Sequence, residues 1–261
     1  MTMTESEVLP RAAAVSSRLE FLAQAESTNT EMRVRARDCT EWPHLSVIVT
    51  DDQTAGRGRL DRSWVAPPGQ ALAISVLVRE LPPVDARGWI PLAAGVAMAD
   101  AVADQLPDHE VALKWPNDVL VDGRKICGIL AEVTEDAVIV GAGVNTAMPA
   151  SALPVATAIS FAAVGVTADA DRLLWTYLLR LDSLLSALAV SGDAISSGLH
   201  RAASDRCATI GSTVRVLLPG ERSLEGTATV LDAHGRLVVS SVGVEHPVSA
   251  GDVVHVRPAA V

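Results

Sequence analysis

Residues 111–145 read VALKWPNDVLVDGRKICGILAEVTEDAVIVGAGVN, and their reading decides the fold. Val111–Lys114 has the composition of a short strand, stopped by Trp115-Pro116 because proline cannot donate to a ladder. Val119–Val121 and Lys125–Val133 flank Asp122-Gly123, and Asp-Gly between two apolar runs is a strong hairpin signal. Ala137–Val140 reads as a further strand, ended by Gly141-Ala142-Gly143. Strands that return directly on themselves exclude a regular strand–helix–strand alternation, so the expectation is an α+β fold with a mixed or antiparallel sheet.

Outward from this stretch, Ala71–Arg79 and Leu45–Thr50 are strand-like, and residues 51–70 form a long loop. Ala86–Leu106 is an alanine-rich helix with Asp85 as its expected cap. Thr28 with Glu31 fits a capping box for a helix running to about Asp38. Residues 1–20 read as a loosely structured leader. Downstream, Leu174, Tyr177, Leu178, Leu181, Leu184, Leu185 and Leu188 recur at three- and four-residue spacing, which gives one apolar face to a helix over 171–190. A shorter helix is expected near 193–204. From Thr209 the texture changes to short strands, Val214–Leu218, Gly226–Leu231, Leu237–Ser240 and Val253–Val256, separated by glycine turns. The chain therefore divides into residues 1–208 and a small β-barrel or sandwich over 209–261.

Composition narrows the function. Apolar residues make up 49% of the 261, enough for a sizeable core, but aromatics are only 3%, so Leu, Val, Ile and Ala must fill it. The net charge of −10 argues against a general nucleic-acid binder, which needs a basic face. Cys39, Cys127 and Cys207 are scattered and odd in number, with no CxxC pair, so neither a disulfide framework nor a zinc site is signalled. Reduced thiols fit a cytoplasmic protein. No signal peptide and no uncharged apolar stretch of membrane-spanning length is read. Of 21 basic residues only Lys114 and Lys125 are lysines, and they lie within twelve positions of each other.

Three segments carry chemistry. Gly56-Arg57-Gly58-Arg59-Leu60-Asp61-Arg62-Ser63-Trp64 holds three arginines and one aspartate, a local +2 in an acidic chain. Its glycines permit close backbone approach, its arginines offer bidentate donors for phosphate or carboxylate, and its tryptophan can cover a ring. Lys114-Trp115-Pro116-Asn117-Asp118 places a point cation at a sheet's rim, where it can neutralise charge developing on a phosphoryl oxygen. Gly141-Ala142-Gly143-Val144-Asn145 lacks the third glycine of a dinucleotide-binding turn, having Thr146 there. No P-loop, nucleophile elbow or clustered histidine set is present, and no metal ligands are read.

Taken together, Ser27-Thr28-Asn29, the Gln53–Trp64 segment, Lys114–Asp118, Gly128-Ile129-Leu130 with Glu132, and Gly141–Asn145 stand in the order and spacing of the biotin–protein ligase family, which the chain resembles over about residues 25–257. The resemblance implies an α+β catalytic domain related to class II aminoacyl-tRNA synthetases, followed by an SH3-like C-terminal barrel. It implies that biotin is activated with ATP and Mg²⁺ to biotinyl-5′-AMP and passed to a lysine of a biotin carboxyl carrier domain. By the same resemblance Ser27, Thr28, Asn29, Gln53 and Gly128 look like biotin contacts, and Gly56, Arg57 and Arg59 like the loop that folds over biotin and the adenylate. Lys114 matches a lysine touching biotin's carboxyl and the α-phosphate, so Lys114 and Arg59 are the expected catalytic residues. Arg62, Trp64, Asn117 and Asn145 resemble the nucleotide side. Asp61 stands where the family usually has glycine, which lowers the loop's positive field. Some members carry an N-terminal DNA-binding segment; here 26 residues precede Ser27, with two Arg against four Glu, so DNA binding is not expected. A lipoate–protein ligase and a non-catalytic biotin- or nucleotide-sensing regulator are the rival readings.

Overall fold

A computed structural model describes residues 8–59, 62–64, 66–218, 222–249 and 252–255. In chain order the elements are α1 (Pro10–Val15), β1 (Arg18–Phe21), α2 (Thr28–Arg35), β2 (Ser46–Thr50), β3 (Gly56–Arg57), β4 (Ser63–Trp64), β5 (Ala71–Val78), α3 (Ile90–Ala103), β6 (Val111–Lys114), β7 (Asp118–Val121), β8 (Arg124–Val133), β9 (Val138–Asn145), α4 (Ala170–Ser191), α5 (Leu199–Arg206), β10 (Thr213–Leu218), β11 (Arg222–Leu231), β12 (Leu237–Ser241), β13 (Val244–Val248) and β14 (Asp252–His255). Seven strands form the central sheet in the order β1-β2-β5-β9-β8-β7-β6. Only β1 and β2 pair in parallel, so the sheet is mixed.

The β7–β8 hairpin turns at Asp122-Gly123, both at positive φ (50° and 72°), as a two-residue turn matching strand twist requires. Strand β9 is longer than its sequence suggests. It runs straight through Gly141 and Gly143 to Asn145, paired with β5 on one side and β8 on the other. Its even-numbered residues Val138, Val140, Ala142 and Val144 face a core completed by α3 and α4. Helix α4 buries the seven residues of its expected apolar face, each of the six leucines contributing roughly 1.5–3 kcal/mol. Asp169 caps it by accepting from the Arg172 amide, and Gly192 ends it at φ 74°. Its length and hydropathy would suffice to cross a membrane, but that face is packed in the core. The other side of the sheet carries two smaller clusters, one where Met32 of α2 packs on Ile48, Leu77 and Ile139, and one where Ala71 packs with Ala66, Met148 and Trp64.

Several local expectations are corrected. The supposed leader contains α1 and the edge strand β1; α1 starts where the Asp171 carboxylate accepts from the Arg11 and Ala12 amides at 3.0 Å, a cap supplied from 160 residues away. The Thr28/Glu31 capping box does not form: Ser27 is the N-cap, Glu31 pairs with Arg35 at 2.6 Å, and the helix ends at Arg35 rather than Asp38. Asp85 caps nothing; a 3-10 turn over Val84–Trp89 leads into α3, which ends at Ala103. The loop over 51–70 contains the small β3–β4 hairpin. The second short helix begins only at Leu199, after Gly198 at φ 79°.

The C-terminal segment folds into an antiparallel five-stranded sheet, order β13-β12-β11-β10-β14. Strand β13 was not anticipated, because its turn uses Val242 at φ 51° before Gly243. Two buried tryptophans tie this sheet to the larger unit. Trp89 Nε1 donates to the Ala233 carbonyl at 2.8 Å, and Trp115 Nε1 to the Gly235 carbonyl at 3.0 Å.

Candidate active site

Where α2 leaves the second face of the sheet uncovered, a cavity of about 170 Å³ opens above β8 and β9. Glycines make the room. A Cβ at Gly143 would lie 2.6 Å from Trp64 Cε2, so the indole rests directly on the strand backbone. A Cβ at Gly141 would meet Asn29 Oδ1 at 2.5 Å, and one at Gly128 would meet Lys125 Nζ at 2.9 Å. The Gly-Ala-Gly run is thus a sheet floor, not a phosphate-binding turn.

One end of the cavity is polar and neutral. Gln53 Oε1 accepts from the Thr28 amide at 2.8 Å and its hydroxyl at 3.2 Å, which orients the Gln53 amide nitrogen toward Gly56. Asn29 Nδ2 donates to Glu132 at 2.7 Å while its Oδ1 accepts from Ser75 at 2.6 Å. Arg33 pairs with the other Glu132 oxygen at 2.9 Å. Ser27 completes this end at the start of α2.

The other end is cationic. Arg57, Arg59, Arg62 and Lys125 face the cavity against a single carboxylate, Asp118, among the described lining residues. Lys125 Nζ pairs with Asp118 Oδ1 at 2.6 Å. Arg59 donates to Asn117 Oδ1 at 3.1 Å, and Asn117 in turn donates to the Ile129 carbonyl at 2.8 Å. Arg57 reaches Thr30 at 2.8 Å. Burial lowers the Arg59 guanidinium's pKa, with Asp118 opposing and Arg62 adding. Among the described lining residues this is an excess of positive charge, partly desolvated, of the kind that can hold an anion.

Of the residues singled out in the sequence, the structure brings Ser27, Thr28, Asn29, Gln53, Arg57, Arg59, Arg62, Trp64, Asn117 and Gly128 onto this one cavity. Three stand outside its lining. Gly56 supports it from behind, packed against Gln53 and the Trp64 carbonyl. Asn145, at the end of β9, donates to the Ile159 carbonyl at 3.0 Å. Lys114 sits opposite Asp118 in the β6–β7 register; burial lowers its pKa, Asp118 opposes this, and Lys125 and Arg62 add to it. Asp61 lies outside the described residues.

Lys125 is the site residue that sequence reasoning missed. Strict alternation along β8 would put it on the core face with Cys127 and Ile129. A register shift between Val119 and Leu120 leaves Ile126 as an extra residue, so Lys125 turns to the cavity while both Ile126 and Cys127 enter the core. Its rarity as one of two lysines was the available signal.

Comparison with known proteins fits this geometry. Residues 21–145 match the biotin/lipoate A/B protein ligase family, and residues 209–256 match the biotin protein ligase C-terminal domain. The chain is 41% identical over 244 residues to the biotin–[acetyl-CoA-carboxylase] ligase of Mycobacterium tuberculosis, covering 92% of this chain and 89% of that one. The chain belongs to the biotin–protein ligase family. Among solved structures, the biotin protein ligase of Aquifex aeolicus in complex with biotin and ATP shares the fold with a TM-score of 0.74 at 24% identity, over 93% of this chain and 100% of that one. The Leishmania major ligase in complex with biotin aligns with a TM-score of 0.60 at 26% identity, over 90% and 99%. Within the family, the N-terminal match ends at Asn145, so it takes in every cavity residue named above.

Proposed function

We propose that this chain activates biotin with ATP to biotinyl-5′-AMP and transfers the biotinyl group to a lysine of a biotin carboxyl carrier domain. The observation that carries this reading is the polarity of one cavity: a neutral amide-lined end fit for a ureido group, and a cationic end fit for a carboxylate meeting a phosphate. The Thr28–Gln53 pair and Ser27 hold the head; Asn29, fixed by Ser75 and Glu132, presents a set orientation beside them.

In the first step the biotin carboxylate oxygen attacks the α-phosphorus of ATP, an O–P bond forms, and pyrophosphate leaves. Lys125 is the amine that meets both anions, held in place by Asp118. Arg59 and Arg62 stabilise charge on the phosphoryl oxygens, and Lys114 adds its field from the neighbouring strand without lining the cavity. Trp64, flat on Gly143, gives the adenine a surface, with Asn117 and Asn145 on that side. Gly56 and Arg57 belong to the hairpin that shields the mixed anhydride from water. In the second step a neutral lysine amine attacks the acyl carbon, the C–N bond forms, the C–O bond to AMP breaks, and AMP leaves as the amine's proton passes to solvent.

A metal has no three-ligand cage among the described residues, since no group of three His, Cys, Asp or Glu there could hold one, and Asp118 is taken by Lys125. Mg²⁺ therefore enters on the phosphates of ATP as part of that substrate, a mode common for this ion.

The same reading assigns residues 1–208 to the catalytic domain, related to class II aminoacyl-tRNA synthetases, and 209–261 to an SH3-like barrel, supported by the antiparallel order of β10–β14. It places the protein in the cytoplasm, supported by three free thiols and the requirement for ATP. It includes no DNA or membrane partner, in keeping with the net charge of −10. The test is incubation with labelled biotin, ATP, Mg²⁺ and a carrier domain. Label on the carrier's acceptor lysine, dependent on ATP, is the expected result.

A further inference from the structure

Glu132, near the end of β8, does not line the cavity, and neither reaction step touches it. Its side chain is only 22% exposed, and both carboxylate oxygens are engaged. Oε2 accepts from Asn29 Nδ2 at 2.7 Å, and Oε1 accepts from Arg33 at 2.9 Å. Asn29 and Arg33 lie one turn apart on α2, so a single carboxylate grips one face of the helix at two points. The Asn29 amide in turn lies across β9. Its oxygen accepts from the Ser75 hydroxyl on β5 at 2.6 Å, and its nitrogen also reaches the Leu130 carbonyl on β8 at 3.3 Å. Gly141, paired with Ser75 on one side and Leu130 on the other, lies directly beneath. A Cβ there would meet the amide oxygen at 2.5 Å and the nitrogen at 2.9 Å. With both amide hydrogens taken inside the protein, Asn29 can offer the cavity only its oxygen. Ser27 and Thr28, which face the neutral end, come immediately before it in the chain.

We propose that Glu132 is a positioning residue for biotin: by orienting and holding the Asn29 amide, it fixes the first turn of α2, and with it Ser27 and Thr28, over the neutral end of the cavity. The carboxylate decides which way the amide lies. An amide oxygen turned toward Glu132 would be repelled by it and by the Leu130 carbonyl, so the nitrogen points to β8 and the oxygen to β5. Without Glu132 the amide nitrogen keeps only the 3.3 Å contact to Leu130, which is longer than a good N–H···O bond. Met32 anchors the helix one turn further on, and Gln53 tethers Thr28 from the loop side; the tie from the first turn to the sheet runs through Asn29. The cationic end is held separately, Lys125 by Asp118 and Arg59 by Asn117, so loss of the tie leaves it in place. This inference rests on the proposed activation of biotin in this cavity.

The experiment measures biotin binding by titration calorimetry without ATP, and pyrophosphate release with ATP varied at saturating biotin. Glu132→Ala is expected to weaken biotin binding about tenfold or more, the usual effect of losing a hydrogen bond to a charged group. Its kcat and its KM for ATP at saturating biotin should stay within about twofold of native, the pattern of a lost binding contribution. Glu132→Gln, whose side-chain oxygen can still accept from Asn29, should recover most of the affinity. The melting temperature should change little in either variant, because the Arg33–Glu132 pair is partly exposed and Met32 still packs on the sheet. Asn29→Ala should weaken biotin at least as much as Glu132→Ala, and combining the two should add nothing further, since they act as one unit. Additive losses in the double variant would overturn the proposal. So would Glu132→Gln binding as poorly as Glu132→Ala, or a Glu132→Ala chain that loses kcat, both affinities and thermal stability together. A native chain that binds no biotin would overturn the ligase reading and this inference with it. A native chain that binds biotin, with Glu132→Ala binding it equally well, would overturn this inference alone.

Discussion

Strand β9 serves two faces of one sheet with opposite requirements. On the face toward α3 and α4, Val140, Ala142 and Val144 are fully or almost fully buried and pack into the main core. One residue over, on the other face, Gly141 and Gly143 present no side chain, and Asn29 and Trp64 occupy the space a Cβ would take. Strand β8 repeats the contrast, with Ile129 inward and Gly128 beneath the Lys125 amine. The difference teaches where this molecule keeps stability and where it keeps function. Apolar volume on one face holds the sheet rigid, and missing volume on the other creates a slot whose walls come from α2, the β3–β4 hairpin and the β7–β8 rim. Substitutions on the two faces should therefore separate cleanly into losses of stability and losses of turnover.

The largest expected effect is on the cavity face. Lys125→Ala should lower biotin-dependent pyrophosphate release by roughly 10²–10³, the usual cost of losing one donor aimed at developing charge, with an unchanged melting temperature. Lys114→Ala, which removes a cation outside the lining, should cost clearly less. A reversed order would move the charge-stabilising role back to the β6 rim. Next, Gly143→Val should displace the Trp64 indole and weaken ATP use by about an order of magnitude or more, since stacking on an aromatic surface contributes about 1–3 kcal/mol. Retention of normal ATP affinity would mean that Trp64 is not the base's platform.

The helix face should respond in the other way. Ile129→Val is expected to cost about 0.5–1.5 kcal/mol in chemical denaturation while leaving turnover per folded molecule intact. A loss of turnover without a loss of stability would break the division between faces. The smallest expected effect concerns thiols. Burial pushes the Cys127 thiol up to about 12, and Cys207 is buried as well, whereas Cys39 is exposed. A thiol reagent at neutral pH should therefore modify one site per native chain, Cys39, without loss of activity.

Much of this was legible in the sequence, and the exceptions have physical causes. The leucine spacing of α4 and the Asp122-Gly123 hairpin were read directly, because each is set by interactions within a few residues. Helix α1 and strand β1 were not, because a carboxylate from α4 and a parallel partner from β2 hold them. The glycines of β9 read as a strand end because glycine normally breaks strands; here they are retained for the room they leave. At the site, arginine and glycine in an acidic chain pointed to the Gly56–Trp64 segment, which was read as loop and which the structure folds into the β3–β4 hairpin at the cavity. Lys125 was missed because a bulge at Ile126 changes which face it occupies, and no periodicity argument shows a bulge in advance.

The central claim is that this glycine-floored cavity catalyses ATP-dependent attachment of biotin. The most direct test follows labelled biotin onto a biotin carboxyl carrier domain for the native chain and for Lys125→Ala, with and without ATP. The account expects one biotin on the carrier's acceptor lysine, with AMP and pyrophosphate formed, only when ATP is present, and a rate reduced by roughly 10²–10³ in the variant. A carrier left unlabelled by the native chain, or labelled equally well by Lys125→Ala, would contradict it.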